Sequence, residues 1–315
     1  MKSIETMRHF GVHSLEDINE YSAQLGWDSI YTQLKPGLFS GTYYERIGEA
    51  VITSSESISI PTCARLAGIP GFIALGILLS DTPVKINGMS LDANSFFLLM
   101  PGSDVCITTT GPVTANVALF PESELEAVLG ETYIRIKKSV ANVQVFRNGL
   151  AGSSERFKNW FLTWLSNPFI QIEYIQRTLS HQIYETMYAA LASIGESLEK
   201  GAQVRGLKDE HRPKKTILEL IDFFYYNPEN LLTTADMCSF LGVSRRTLFY
   251  DFKHYTGFTP HHVFKHIRLQ AVHRNLLNQT GNVTEMASRY NFHHLGEFSA
   301  LYKNTYGELP SESFK

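Results

Sequence analysis

Two stretches near the end of the chain are copies of one another, and no other feature limits the fold so tightly. Leu248-x3-Phe252-Lys253-x3-Gly257-x2-Pro260 returns 50 residues later as Phe298-x3-Tyr302-Lys303-x3-Gly307-x2-Pro310. Just upstream, Met237-Cys238-x2-Leu241-Gly242-Val243-Ser244 aligns with Met286-Ala287-x2-Tyr290-Asn291-Phe292-His293 at an offset of 49. One supersecondary unit is therefore used twice. Each copy reads as helix, tight turn, helix. In the first, Thr233 or Thr234 caps a helix ending at Leu241, with Asp236 in its first turn. Gly242 permits the left-handed residue that stops it, and Ser244 caps the next helix, from Arg245 to about Tyr255. In the second copy Asn291 stands where the turn has Gly242, and asparagine tolerates the same backbone region. Small residues at Cys238 and Ala287 let the paired helices cross closely. That is the design of a helix-turn-helix.

The segment between the copies restricts what the pair can grip. Pro260 to Asn278 reads as one helix whose apolar face is Val263, Ile267, Ala271, Leu276 and Leu277. Nineteen residues at ~1.5 Å each span roughly 28 Å. Successive major grooves on one face of B-DNA lie ~34 Å apart. A rigid spacer of that order lets both second helices enter adjacent grooves of one duplex. On the first of them, Arg245, Arg246, Phe249 and Tyr250 lie on or near the face opposite Leu248 and Phe252, and arginine can grip guanine bidentately while a ring meets thymine methyls.

Charge agrees with this division of labour. The formal net charge is -3, but residues 212–315 hold 12 Lys and Arg against 9 Asp and Glu, a balance of +3, which leaves 16 against 22, or -6, for residues 1–211. Seven of the 11 histidines also fall in the last third, so its charge is expected to rise at mildly acidic pH. The end of the chain is the expected home of a polyanion partner.

The first two thirds read differently. From about Leu38 to Phe120 short runs rich in Val, Ile, Thr, Phe and Tyr predict strands at GTYYERI, AVITSSESISI, FIALGILL, SFFLLMPG, VCITTT and VTANVALF, joined at PG, NG and TGP turns. Such spacing suggests a sandwich or barrel. PESELEAVLG then predicts a short helix with proline at its first position. A second helix is expected from Ser153 or Ser154 to about Leu165, and a third from about Phe169 to Glu199. The third carries an apolar stripe through Ile172, Ile175, Leu179, Ile183, Met187, Leu191, Ile194 and Leu198. The stripe either packs on the β domain or forms a homodimer interface; Ile172, Ile175, Leu179, Ile183, Met187 and Leu191 are the candidate dimer contacts. Residues 200–215, with two glycines, a proline and dense charge, read as a linker. The expected fold is α+β. A regulatory and dimerisation domain spans residues 1–199, β-rich over 38–120 and helical over 121–199, and an all-α domain with two helix-turn-helix motifs spans 216–315.

Other chemistries find little support. Cys63, Cys106 and Cys238 are odd in number and widely spaced, which gives no disulfide framework and fits a reducing cytoplasm. The N-terminus lacks the apolar core of a signal peptide, and the longest apolar run, Ile69 to Leu79, falls short of the ~20 residues a membrane helix needs. A metal-dependent enzyme in a β barrel needs converging histidines, and there is none between His13 and His181. No GxSxG, GxxxxGK[ST] or GxGxxG occurs, and the His262-x3-His266 pair has no evident further ligands, so neither catalysis nor metal is expected.

GVSRRTLFYDFKHYTGFTPHHVFKHIRLQAVHRNLL followed by VTEMASRYNFHHLGEFSALYKNTYGELPSES resembles the AraC/XylS family of transcriptional regulators, across roughly Thr216 to Lys315. His294-Leu295-Gly296, Tyr302 and GELPSE look most like the branch containing ethanolamine-utilisation regulators. The segment from Ile30 to Gly41 looks like the entry into that branch's N-terminal regulatory domain. The resemblance implies a cytoplasmic, sequence-specific transcriptional activator acting as a homodimer on promoter DNA, with RNA polymerase as a partner. It also leaves room for a small-molecule effector of unknown identity but implies no cofactor. Tyr43, Phe72 and Phe97 are candidate pocket residues, though each also suits plain core. By the family's pattern Arg246, Phe249 and Tyr250 fall on base-reading positions. Ser244, Arg245, Lys253, His293, His294, Glu297 and Lys303 complete the candidate DNA contacts, the two lysines meeting phosphate. Ala300 stands where the family often has arginine, so the second motif is expected to position more than to read. The alternative is a protein-interaction adaptor with a degenerate DNA-binding surface; salt-dependent duplex binding separates the two.

Overall fold

The computed structural model describes residues 6–12, 14–24, 26–47, 51–93, 95–139, 143–146, 159, 178, 181–189, 191–192 and 211–314. Its N-terminal part holds twelve strands: β1 (Thr6–Val12), β2 (Asp28–Gln33), β3 (Gly41–Ile47), β4 (Ile52–Ile58), β5 (Thr62–Ala67), β6 (Phe72–Leu78), β7 (Val84–Ile86), β8 (Met89–Leu91), β9 (Phe96–Leu99), β10 (Asp104–Thr109), β11 (Val113–Pro121) and β12 (Val143–Phe146). They form a seven-stranded sheet in the order β1-β3-β4-β11-β6-β9-β12 and a five-stranded sheet in the order β2-β5-β10-β7-β8. Helix α1 (Leu15–Gln24) links β1 to β2, and α2 (Glu122–Leu129) and α3 (Glu131–Ser139) follow β11.

The continuous apolar runs in β6 and β9 have a physical explanation: both faces of their sheet are covered. Ile73, Leu75, Ile77, Phe96 and Leu98 point to an outer cluster with Leu125 of α2 and Tyr133 and Ile136 of α3. Ala74, Leu78, Phe97 and Leu99 point the other way, to a cluster with Val84, Ile86 and Val105 of the second sheet. Gly76 is obligatory here, because the ring of its cross-strand partner Phe97 occupies the space a Cβ would need. The six predicted strands are all present. The pattern does not flag the other six, among them β2 and β5, where Thr32, Gln33 and Thr62 are buried although polar. Asn87 and Gly88, both at positive φ (51° and 78°), turn the β7–β8 hairpin at the NG signal. Pro121 closes β11 and precedes α2 as its N-cap, one position earlier than expected.

Residues 181–189 are helical, and here one expectation needs correction. Ile183, Met187 and Leu191 are fully buried in the chain's own core, against the outer face of the seven-stranded sheet. They cannot serve as dimer contacts, because the sheet's apolar outer face claims them. Ile172, Ile175 and Leu179 lie outside the described residues, as does all but Asn159 of the helix expected from Ser153 or Ser154.

The C-terminal part is all helical: α4 (His211–Tyr226), α5 (Thr234–Leu241), α6 (Arg245–Thr256), α7 (Pro260–Leu277), α8 (Val283–Arg289), α9 (Leu295–Tyr306) and α10 (Pro310–Ser313). Helix α4 begins inside the segment read as a linker, with Pro213 in its first turn where the missing N–H costs nothing. Among the described residues no helix is long and apolar enough to cross a membrane.

Candidate nucleic-acid interface

Local chemistry builds both helix-turn-helix units. Thr233 caps α5 by accepting from the Asp236 N–H, and the Asp236 carboxylate accepts from the Thr233 hydroxyl and N–H in return, which holds that carboxyl below its usual pKa. Gly242 ends the helix at φ 64°. Ser244 caps α6, accepting from Thr247 N at 3.1 Å. In the second unit Asn282 caps α8, and Asn291 adopts φ 67°, as the repeat requires of the residue replacing Gly242. The recognition helices bury equivalent residues, Leu248 and Phe252 in α6 and Phe298 and Tyr302 in α9.

Burial on one side leaves the candidate contacts on the other. Ser244, Arg245, Arg246, Tyr250 and Lys253 are exposed, Tyr250 at 68%. Phe249 is half-buried, its ring 5.5 Å from the Arg245 guanidinium and 6.2 Å from the His261 ring. In the second unit His293, His294, Glu297, Ala300 and Lys303 are all exposed. The Ser244 hydroxyl is engaged with Thr247 at the helix start, at 2.8 Å from its Oγ1. On the spacer, Arg274 lies over the Tyr225 ring at 5.7 Å, so its contact is internal. Arg268 is partly buried with its Nε unbonded, and burial lowers its pKa.

The histidines divide into two groups. His266 and His273 are buried, and desolvation pushes both down to about 4. They stay neutral at mildly acidic pH, so the expected rise in positive charge cannot draw on all seven C-terminal histidines. His273 Nδ1 lies 2.6 Å from the Tyr302 hydroxyl, which donates to Ser313 Oγ at 2.8 Å, tying the spacer to the second unit.

The N-terminal domain reaches both units, through contacts that the sequence pattern did not predict. Thr108 Oγ1 of β10 donates to the carbonyl of Tyr255 in α6 at 2.9 Å. Gln33 Nε2 of β2 donates to the carbonyl of Thr305 in α9 at 3.0 Å, sharing its two hydrogens with the Lys35 and Gly37 carbonyls of its own loop, each at 2.9 Å. On the spacer, Gln270 Nε2 donates to the Tyr31 carbonyl at 2.9 Å, and His262 Nε2 lies 2.8 Å from the Leu34 carbonyl. Arg65 of β5 gathers Asp28 and Asp104 from its own sheet and pairs across the interface with Asp222 of α4, Nε to Oδ1 3.1 Å, as an ion pair too bent to be a hydrogen bond. Burial nevertheless outweighs Arg65 and lifts Asp222 to about 6. One signal was available for Gln270: a polar residue on the buried side of the spacer must find a partner.

Two antiparallel sheets joined to a duplicated bihelical unit with an exposed cationic face define a β-plus-helix-turn-helix protein. Residues 237–315 match the family model described as "Helix-turn-helix domain". A "Probable thc operon regulatory protein" of Rhodococcus erythropolis is 32% identical over 153 residues, 44% of this chain and 46% of that one. A "XylDLEGF operon transcriptional activator 2" of Pseudomonas putida is 33% identical over 97 residues, 30% of this chain and 62% of that one. The chain thus spans about half to three fifths of the length of these curated relatives. A solved structure, "the AraC-like transcriptional activator CuxR", aligns over 86% of this chain and 96% of its own at 14% identity, with a TM-score of 0.42. The C-terminal part of the chain therefore contains a helix-turn-helix domain.

Proposed function

We propose that this protein is a sequence-specific transcriptional regulator that inserts α6 and α9 into adjacent major grooves of one duplex. The observation that carries the reading is the rigid pairing of two repeat-related helices, both with exposed N-terminal halves, on an 18-residue spacer helix. Such a spacer is roughly 27 Å long, close to one groove repeat. Arg246, Phe249 and Tyr250 read bases in α6, and Lys253 and Lys303 meet phosphate. His293, His294 and Glu297 serve the second half-site, where Ala300 leaves less to read with. GELPSE and His294-Leu295-Gly296 favour a relationship to ethanolamine-utilisation regulators, and the wider family resemblance favours activation of promoters with RNA polymerase as a partner. A homodimer would use residues 172–179.

A small-molecule effector would bind between the two sheets. A cavity of about 100 Å³ lies between the two sheets, lined by Trp27, Tyr31, Tyr43, Glu56 and Phe97 among others; Phe72 does not line it. Glu56 accepts from the Tyr31 hydroxyl at 2.9 Å and is lifted by burial to about 7. Among the described residues the lining contains no Lys, Arg or His.

Selection of binding sites from random duplexes by the full chain tests the regulator reading. Two half-sites about one helical turn apart, bound with a steep inverse dependence on salt, are expected. An adaptor would enrich no sequence and would bind duplex no better as ionic strength falls.

A further inference from the structure

The two hydrogen bonds from the β domain to the recognition helices fall on the same place in the repeat. Tyr255 and Thr305 are separated by 50 residues, the offset that relates Leu248 to Phe298 and Gly257 to Gly307. Each is the penultimate residue of its helix. Each helix then ends on a glycine at nearly the same φ, 76° at Gly257 and 79° at Gly307, whose N–H returns to Lys253 or Lys303. Carbonyls of a helix's last turn have no partner within the helix, so they are free to accept from outside. Thr108 and Gln33 supply those donors from two strands of one sheet, β10 and β2, with only β5 between them. The repeat has two such carbonyls, and the sheet grips both.

We infer that Thr108 and Gln33 are positioning residues for DNA recognition, holding the two reading helices at a fixed separation through repeat-equivalent carbonyls. The inference rests on the regulator reading given above. The grip lies at the C-terminal turns, while Arg245, Arg246, Tyr250, His293, His294 and Glu297 stay exposed at the opposite ends. A clasp of that form sets the pose of the readers without covering them. The Gln270 and His262 contacts hold the spacer to the same strand and its end, so the frame has anchors at both helices and between them. Leu38 packs where Gly307 has no side chain, which adds a steric stop beside the Gln33 bond.

The expected signature is in spacing, not in general affinity. Full-length protein carrying Thr108→Val and Gln33→Leu would be compared with wild type on operators taken from the selection, with the distance between half-sites changed by one or two base pairs. Wild type is expected to prefer the selected spacing strongly. In the double variant that preference should shrink about tenfold, the scale of one to two net hydrogen bonds. Affinity for a single half-site should stay within about twofold. Thr108→Ser, which keeps the hydroxyl, should restore the preference lost in Thr108→Val; this pair answers the question even if the double variant unfolds. An unchanged spacing preference in a folded Thr108→Val variant overturns the inference. So does tighter operator binding by the variants, which would make the contact an inhibitory lock. Should wild type select no operator at all, the regulator reading falls first; should it select one whose spacing the variants read equally well, only the positioning role falls.

Discussion

At the scale of single residues, environment decides chemistry. Arg246 is exposed at the start of α6, and Arg246→Ala is expected to weaken binding to the selected operator by roughly 1 to 3 kcal/mol while leaving random duplex nearly unchanged. Equal loss on both would make it a phosphate contact. Glu56 shows the opposite case, a carboxyl enclosed by an apolar cavity. Its folded pKa of about 7 exceeds the ordinary 4.5, so the folded state holds this proton more tightly and the residue's contribution to stability declines as pH rises from about 4.5 to 7. Glu56→Gln should therefore leave stability at pH 4.5 nearly unchanged and raise it at pH 8 by ~3 kcal/mol in urea unfolding. A uniform effect across that range would show that the carboxyl is solvated.

At the scale of elements, what covers a face matters more than its pattern. The apolar stripe over 183–191 has the periodicity of either a dimer seam or a packed helix, and its partners are Ile73, Leu75 and Phe96 of the same chain. Leu191→Ala is accordingly expected to destabilise the fold by ~2 to 5 kcal/mol through lost burial and a cavity. Sedimentation should show no change in association state for the folded fraction; dissociation of an otherwise stable dimer would contradict the packing. The recognition helices were more legible. Thr233, Gly242 and Ser244 each act through neighbours within about four residues, and sequence displays such relations directly. Thr108 and Gln33 have no such signature, since a threonine in a strand says nothing about a carbonyl 147 positions away.

At the scale of the whole molecule, the five-stranded sheet and the helical domain share a core. Leu34, Cys63 and Cys106 pack with Ile217, Leu220, Phe252 and Tyr255. His266 and His273 are sealed into that helical domain in their neutral form. Each ordinarily titrates near 6.5 and is held at about 4 here, so the stability they allow is whole above about pH 6.5 and is lost as pH falls toward 4. The loss should approach ~3 kcal/mol for each across that window. Unfolding followed between pH 7 and 4.5 is expected to show this acid sensitivity, and His273→Gln should remove about half of it. A stability profile flat through pH 5 would mean that both rings reach water.

The amino-acid sequence by itself determined the duplicated reader: caps, left-handed turn residues and buried pairs recur at a fixed offset, and all act over one or two helical turns. It also determined the six strands that have their own apolar period and turn signals. Tertiary structure alone decided which surfaces meet. Gln33 and Thr305 stand 272 positions apart, Ile183 could have faced a partner or its own sheet, and His273 acquires its proton affinity from what surrounds it. Hydrogen bonds, burial and desolvation of this kind depend on proximity in space, and proximity between distant segments is fixed only when the whole chain has folded.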